Sequence, residues 1–197
     1  MDLDNDGAED IFVANGHVYP RVEEVGPAST YRQRNQVFWN LGSGQFQEAR
    51  FSSDDGMQQI ASSRGGAFGD IDDDGDIDIV IVNIDGAPSL LRNELPAGGN
   101  WIALRLIGTV SNRDAIGARV ALRNGERRHV KEVHPSGSVF SSNDLRIHFG
   151  LGDQEVADEI LIRWPSGREQ TLVEIQQGSA LTVKEGREPF LLSKGVR

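Results

Sequence analysis

Two short acidic segments carry the residue types and the spacing of a metal-binding loop. Residues 2–10 read DLDNDGAED and residues 70–78 read DIDDDGDID. Each has aspartate at its first, third, fifth and ninth positions and glycine at its sixth, and the two copies are offset by 68 residues. Four carboxylates this close repel one another unless protons or a cation neutralise them. The spacing therefore indicates a cation site in each segment.

The oxygen-rich pattern is typical of calcium. Calcium loops use side chains at positions 1, 3 and 5, a backbone carbonyl at position 7, and glycine at position 6 for a sharp turn. The helical type ends with glutamate at position 12, where this chain has Val13 and Ile81, so the ninth residue must supply the last ligand. The predicted ligands are Asp2, Asp4, Asp6, the Ala8 carbonyl and Asp10 in the first loop, and Asp70, Asp72, Asp74, the Asp76 carbonyl and Asp78 in the second. An acidic turn that binds nothing is the alternative, which two copies with identical spacing disfavour.

Each acidic loop leads into a predicted β-strand. The runs IFVAN (11–15) and IVIVN (79–83) are apolar, rich in β-formers and end at a turn residue. RGGAFG (64–69) and SLLRNE (89–94) predict further strands around the second loop, and QVFWNLGSGQFQEA (36–49) predicts a hairpin. The repeated unit is therefore an acidic loop that feeds a sheet.

The first unit contains an insertion. Asn15 to Asn40 spans 25 residues, whereas Asn83 to Asn93 spans 10, so about 15 extra residues lie within 16–34. We expect this long loop to pack over its own sheet. A ligand-binding loop is the alternative. Its candidate contacts would be His17, Tyr19, Tyr31, Arg32 and Arg34.

Composition and charge exclude several classes of protein. Of the net charge of −10, residues 1–96 contribute −12 (18 acids, 6 bases) and residues 97–197 contribute +2 (12 acids, 14 bases). An acidic surface argues against nucleic acid as a partner. No apolar run reaches the length of a membrane span, and no secretion signal is visible in this chain. There are no cysteines, so disulfides and thiolate sites are excluded.

The C-terminal half alternates strand patterns with turn signals. The predicted strands are 101–108, 118–123, 127–133, 145–150, 159–164, 170–175 and 180–185, with a tight turn at Asn124-Gly125 and a β-turn at Trp164-Pro165-Ser166-Gly167. Seven short strands with frequent turns predict a β-sandwich or barrel. LPAGGN (95–100) is the predicted linker between the halves.

These motifs resemble two known families. GGAFGDIDDDGDIDIVIVN (65–83) resembles the FG-GAP (VCBS-type) repeat, a β-propeller blade related to those of integrin α subunits. That resemblance implies Ca2+ in both loops, on the ligands given above. SNRDAIGARV (111–120), HFGLG (148–152) and RWPSG (163–167) resemble the ASPIC/UnbV domain. The combination resembles the cartilage acidic protein family and its bacterial relatives, although Ser141-Ser142-Asn143-Asp144 departs from the Ser-Gln pair that is usual there.

We therefore expect an all-β protein with a partial β-propeller of about two blades, followed by a small sandwich or barrel. The predicted parts are 1–94 for the blades, 95–100 for the linker, 101–186 for the ASPIC/UnbV domain and 187–197 for a C-terminal tail. The first unit lacks the strand that precedes the second loop, and a closed propeller needs four to eight blades. This favours the C-terminal part of a larger protein whose open sheet edges invite self-association. The alternative is that the C-terminal domain shields an edge.

No catalytic or organic-cofactor site is visible. The chain has no nucleophile elbow and no phosphate loop, and His129 and His134 would lie on opposite faces of a strand. We expect a non-enzymatic, calcium-binding adhesion or interaction module with a protein or glycan ligand. Weak calcium sites would fill outside the cell, so the expected location is extracellular, periplasmic or at the cell surface. The alternative is a fragment of a lyase-like, carbohydrate-acting enzyme that uses the 16–34 loop.

Overall fold

A computed structural model describes residues 1–26, 28–95 and 98–191 of the chain. The strands are β1 (Ile11–Val13), β2 (Gln33–Arg34), β3 (Gln36–Asn40), β4 (Phe46–Glu48), β5 (Ile60–Ala61), β6 (Ser63–Gly69), β7 (Asp78–Asn83), β8 (Ser89–Leu91), β9 (Asn100–Ile107), β10 (Arg119–Asn124), β11 (Arg127–Glu132), β12 (Ile147–Gly152), β13 (Val156–Arg163), β14 (Glu169–Gln176), β15 (Ser179–Lys184) and β16 (Phe190–Leu191). One short helix, α1 (Val22–Val25), and a 3-10 turn at Gly56–Gln58 interrupt them. The predicted all-β class is confirmed.

The N-terminal half contains two three-stranded sheets. Their strand orders are β1-β3-β4 and β6-β7-β8, and a separate pair joins β2 to β5. In each sheet the strand that leaves an acidic loop pairs antiparallel with a strand that follows it in the chain, β1 with β3 and β7 with β8. The predicted hairpin is present as β3 and β4, closed by the Leu41 N–H donating to the Gln45 carbonyl at 2.9 Å. The repeat in sequence is thus a repeat in structure.

A strand pairing that is complete in the second sheet is present in the first sheet at one residue, Met1. In the second sheet, Gly69 at the end of β6 pairs with Asp78. Met1 occupies the equivalent position and makes both bonds of such a pair, since the Asp10 N–H donates to the Met1 carbonyl (2.6 Å) and the Met1 amino group donates to the Asp10 carbonyl (3.3 Å). Among the described strands, only β3 pairs with β1.

One apolar core supports both acidic loops. Ile79 and Ile81 on β7 are buried, while Val82 faces outward, as the two-residue period of a strand requires. They pack with Val37 from the first sheet and with Leu3 from inside the first loop. Burial of these side chains fixes the direction in which each loop leaves its sheet.

The C-terminal half is a sandwich of two four-stranded sheets. Their orders are β11-β10-β13-β14 and β12-β9-β15-β16, antiparallel throughout except for the parallel pair β9 and β15. The seven predicted strands all form, and alternate residues such as Val120, Leu122, Ile160 and Ile162 are fully buried between the sheets. The architecture is a sandwich rather than a closed barrel.

Two details differ from the sequence prediction. Asn124 pairs with Arg127, so the tight turn consists of Gly125 and Glu126, one residue further on than expected. Phe190–Leu191 forms β16 against β15, within the segment assigned to a tail. Residues 192–197 of that tail and residues 96–97 of the linker lie outside the described residues. The β-turn closes as predicted, with the Gly167 N–H donating to the Trp164 carbonyl at 2.9 Å.

Candidate metal sites and the surface they share

The first acidic loop brings three carboxylates together. One carboxylate oxygen each from Asp2, Asp4 and Asp10 lies within 4.8 Å of the others. Asp10 is held from both sides, because its Oδ2 accepts from the Leu3 N–H and its Oδ1 from the Asn40 N–H, both at 2.9 Å. The loop is therefore anchored to its own sheet by the residue predicted as its last ligand.

The second loop repeats this geometry. Oxygens of Asp70, Asp72 and Asp78 converge within the same 4.8 Å. Asp78 Oδ2 accepts from the Ile71 N–H and Oδ1 from the Asn93 N–H, again at 2.9 Å. These partners are the counterparts of those that hold Asp10, so the two loops are alike in their hydrogen bonds as well as in their sequence.

The tight turn of each loop needs two left-handed residues. The φ angles are 58° at Asn5 and 91° at Gly7, and 60° at Asp73 and 97° at Gly75. Asparagine and aspartate tolerate this region better than other side chains, and glycine occupies it freely. The glycine at the sixth position is thus explained by backbone geometry.

The aspartates at the fifth position of each loop, Asp6 and Asp74, lie outside the convergent groups. Asp6 Oδ1 accepts from the Ala8 N–H at 2.6 Å, and Asp74 Oδ1 accepts from the Asp76 N–H at 3.0 Å. Their role in the loop as it stands is to close its second turn. Within the described ranges, the two aspartate trios are the sets of three or more acidic, histidine or cysteine side chains that converge in this way.

Burial disfavours the charged form of several of these carboxylates. Asp2 is 3% exposed and its Oδ1 has no hydrogen-bond partner. Burial raises the pKa of Asp2 to about 7, which the Lys131 ammonium opposes and Glu9 and Asp6 reinforce. Burial likewise raises the pKa of Asp70 to about 6, against the effect of Arg146. The pKa values of Asp4, Asp10 and Asp76 are also raised, and burial is the largest cause in each case.

Basic side chains of the second half, and Arg92 just after β8, contact the acidic loops. Lys131 forms an ion pair with Glu9; although burial disfavours the charge of Glu9, Lys131 and the N-terminal ammonium lower its pKa to about 2. Arg146 pairs with Asp73 at 2.7 Å and donates to the Asp70 carbonyl. Arg92 pairs with Asp72. The contact of Arg92 thus falls on one of the convergent carboxylates of the second loop, whereas Asp2 Oδ1 in the first loop remains unpaired.

Both loops face the sandwich, which the sequence did not predict. Asn5, fully buried, places its Oδ1 at 2.6 Å from His148 Nε2 on β12, and its carbonyl accepts from the Gly152 N–H at 2.8 Å. Trp101 on β9 lies so close to Gly75 that a Cβ at Gly75 would clash with the indole ring. A Cβ at Gly150 would likewise clash with the Asp2 carboxylate. The glycines of HFGLG were the available signal, because they permit the approach of another backbone.

His129 and His134 have different surroundings. β11 ends at Glu132, so His134 lies beyond the strand, where its Nδ1 is 3.1 Å from the Ser136 carbonyl. His129 instead faces the first loop, and a Cβ at Gly7 would lie 3.1 Å from its Cε1. Burial lowers the pKa of His129. Its role is to pack on the acidic loop.

Two family models match the chain, and together they cover most of it. The model of the FG-GAP-like repeat matches residues 2–81, which contain both acidic loops, and the model described as ASPIC and UnbV matches residues 108–189. The chain joins an FG-GAP-like repeat to an ASPIC/UnbV domain. A comparison with curated proteins returns no match. The described residues contain no helix that is long and apolar enough to cross a membrane.

The ASPIC/UnbV domain covers one edge of the FG-GAP sheets. Ser141 Oγ accepts from the Gly66 N–H (3.1 Å), Asn143 Oδ1 accepts from the Phe68 N–H (3.2 Å), and the Asp144 N–H donates to the Phe68 carbonyl (3.0 Å). The free edge of β6 is thereby satisfied by side chains and backbone of the segment 141–144, which is the part of the chain that departs from the family pattern. A shielded edge was the alternative expectation for this side of the sheet.

A buried glutamate explains two of the ASPIC/UnbV motifs. Glu185 is 2% exposed and accepts from the N–H groups of Thr109 (2.9 Å), Val110 (2.8 Å) and Ser111 (2.8 Å), and from the hydroxyl of Ser166. Burial disfavours its charge, but these hydrogen bonds outweigh burial and lower its pKa to about 2. Glu185 thus joins the start of SNRDAIGARV to RWPSG. Sequence reasoning missed it, because a single acid at a strand end carries no local signal.

The side chains of the 16–34 loop contact their own half. Arg64 donates to the His17 carbonyl at 2.7 Å, the Tyr31 hydroxyl donates to Asp85 at 3.4 Å, and Arg34 pairs with Glu48 at 2.9 Å. Pro27 lies outside the described residues. These contacts fit a loop that packs over its own sheets.

Proposed function

We propose that this chain is a calcium-stabilised, non-enzymatic interaction module that works outside the cytosol. FG-GAP and ASPIC/UnbV domains fit a repeat and interaction module. The observation that carries the calcium proposal is the buried Asp2 carboxylate, which has an unpaired oxygen and a pKa raised to about 7 by burial. A buried carboxylate of this kind is unfavourable unless a proton or a cation compensates it.

The residues present fit calcium rather than a softer metal. Calcium prefers six to eight oxygen ligands, which carboxylates and carbonyls supply. Asp2, Asp4 and Asp10 would hold one ion, and Asp70, Asp72 and Asp78 the other. When bound, calcium would neutralise the carboxylates and hold the two turns of each loop together. Turning of Asp6 and Asp74 toward the ions would complete the predicted ligand sets.

The role of the ions would be to order the surface between the two halves. Asn5 and Gly75, which contact the sandwich, are inside the acidic loops. Loops that are ordered by calcium would hold the FG-GAP sheets and the ASPIC/UnbV domain in one arrangement, and a partner protein or glycan would then bind a calcium-dependent surface. Sites with dissociation constants on the order of 10⁻⁴–10⁻³ M would fill outside the cell and stand empty in the cytosol.

Calorimetric titration with Ca2+ tests the proposal. We expect two sites, and calcium at about 100 times the dissociation constant should raise the free energy of unfolding by roughly 2.7 kcal/mol for each site. Replacing Asp72 and Asp74 by asparagine should remove one site and lower the melting temperature only when calcium is present. Replacement of Asp54 and Asp55, which are acidic but outside the loops, is the matched control. No binding at millimolar Ca2+ would refute the calcium proposal.

The non-enzymatic role has a separate test. The native protein, immobilised with Ca2+ and then with a chelator, should retain a protein or glycan partner only in the first condition. Incubation with a panel of polysaccharides should leave the substrates intact, with or without the 16–34 loop. Cleavage that is lost on removal of this loop would establish the carbohydrate-acting enzyme instead.

A further inference from the structure

We propose that the two acidic loops bind their cations with positive cooperativity, and that the side chain of Asn5 couples them. The inference rests on the proposed calcium binding. Asn5 lies at the fourth position of the first loop, between Asp4 and Asp6. Its Nδ2 donates to Asp76 Oδ1 at 2.9 Å and to the Gly75 carbonyl at 3.3 Å, both in the second loop.

Asn5 is constrained on every side. It is fully buried, its φ of 58° is left-handed, and its Oδ1 and carbonyl contact β12. The side chain therefore reaches Gly75 and Asp76 only when the first loop holds this turn. A cation that orders the first loop would fix the donor that orders the second. The second cation would then bind a loop that is already ordered, so its binding would lose less conformational entropy. Binding at the first loop would therefore raise the affinity of the second, which is positive cooperativity.

The equivalent residue of the second loop does not make the reciprocal contact. Asp73 has nearly the same backbone, with a φ of 60°, but it is exposed and pairs with Arg146 rather than with the first loop. The coupling contact therefore depends on one residue that differs between two otherwise matched loops. This difference supplies a control within the same molecule.

The sign of the effect separates this mechanism from simple electrostatics. If charge alone linked the loops, a cation in one would weaken binding in the other, because like charges repel. Coupling through Asn5 predicts the opposite sign. Allosteric couplings of this kind typically change affinity by about 5- to 150-fold, and linkage requires the same factor in both directions.

The test compares the affinity of one loop with and without a functional partner loop. Calorimetry with Ca2+ gives the two affinities, and the part of the tryptophan fluorescence change that Trp101→Phe abolishes reports the second loop, since this indole lies against Gly75. Replacing Asp4 by asparagine disables the first loop and should weaken Ca2+ binding at the second by about fivefold or more. Replacing Glu9 by glutamine removes the same charge from the same loop without removing a proposed ligand, so its smaller effect measures the electrostatic part. Replacing Asp72 by asparagine should weaken the first loop by the same factor. These variants retain Asn5, so they test the coupling even if changes at Asn5 impair folding.

A pair of exchanged residues then tests the mechanism. Asn5→Asp places the residue of the second loop in the first, opposite the Asp76 carboxylate, and should abolish or invert the cooperativity. Asp73→Asn makes the reverse change away from the contact and should preserve it. Equal affinity of each loop whether or not the other is intact, or cooperativity that survives Asn5→Asp in a folded protein, overturns the coupling alone. Absence of Ca2+ binding at both loops overturns the proposed function and the coupling together.

Discussion

Replacement of Asp2 by asparagine should stabilise the metal-free protein at neutral pH. Burial raises the pKa of Asp2 from 3.8 to about 7, so the folded state binds this proton more tightly than the unfolded chain. Stability then falls as pH rises between these values, because the unfolded state loses its proton first. At 1.36 kcal/mol for each pH unit, ionisation of Asp2 costs the metal-free fold about 4 kcal/mol above pH 7.

The asparagine removes this charge but introduces another defect. Its amide would retain an acceptor for the Gly7 N–H, which donates to Asp2 Oδ2 at 3.0 Å. Its NH2 group would take the place of the unpaired Oδ1, at a cost of about 1–3 kcal/mol. The expected gain in the free energy of unfolding is therefore about 1–3 kcal/mol at pH 7.5 in chelator, and close to zero or negative at pH 4.

Urea unfolding at several pH values, with chelator and with Ca2+, measures both proteins. The decline of stability from pH 4.5 to 7 should be shallower in Asp2→Asn, although Asp70 and its neighbours still contribute to it. Calcium should reverse the order of the two proteins at pH 7.5, because only the parent binds at the first loop. Glu9 and Glu185, whose pKa values are lowered to about 2, stabilise the fold fully above about pH 4.5 and lose this contribution only as the pH falls below it, so they add no slope between pH 4.5 and 7. Metal-free stability that is flat or rises from pH 4.5 to 7 would falsify the reasoning.

Three further predictions concern the rest of the chain. Replacing Glu185 by glutamine should lower the free energy of unfolding by about 2–4 kcal/mol, because several charge-assisted hydrogen bonds weaken together; a loss below about 0.5 kcal/mol in urea would contradict this role. Replacing both Ser141 and Asn143 by alanine should expose the β6 edge, speed amide exchange there and increase self-association in light scattering, whereas Ser142→Ala should behave like the parent. Fractionation of the source cells should find the full-length native protein outside the cytosol, and a purely cytosolic protein would refute that location.

Local chemistry explains how much of the fold could be predicted. The β7 strand was visible because IVIVN (79–83) is a continuous apolar run of β-formers that ends at a turn residue, and the turn at Trp164–Gly167 because proline and glycine occupy positions that demand them. The tight turn after β10 was displaced by one residue, since Asn124 takes part in the ladder. Such registers depend on pairing partners far along the chain, which local patterns do not encode.

The acidic loops were predictable and their environment was not. Regular spacing of Asp2, Asp4 and Asp10 is sufficient to indicate convergent carboxylates. The contact of Asn5 with His148 joins residues 143 positions apart, and neither residue type predicts such a partner. The hydrogen bonds between β6 and the segment 141–144 also join residues far apart in the chain and could not be predicted from local sequence. Long-range polar contacts are specified by the whole fold, so the contacts between the acidic loops and the sandwich became visible only in the structure.

The parallel pairing of β9 with β15 has a consequence for biosynthesis. Ser179 lies opposite Ile102 and Lys184 opposite Ile107, so one sheet of the sandwich joins two central strands whose paired residues are 77 positions apart. During translation, β9 emerges long before its partner and must wait for nearly the whole domain to leave the ribosome. Non-local pairing of this kind slows folding and prolongs the exposure of apolar strands. The ASPIC/UnbV half should therefore depend on chaperones during synthesis more than the FG-GAP half, whose sheets are built from neighbouring strands.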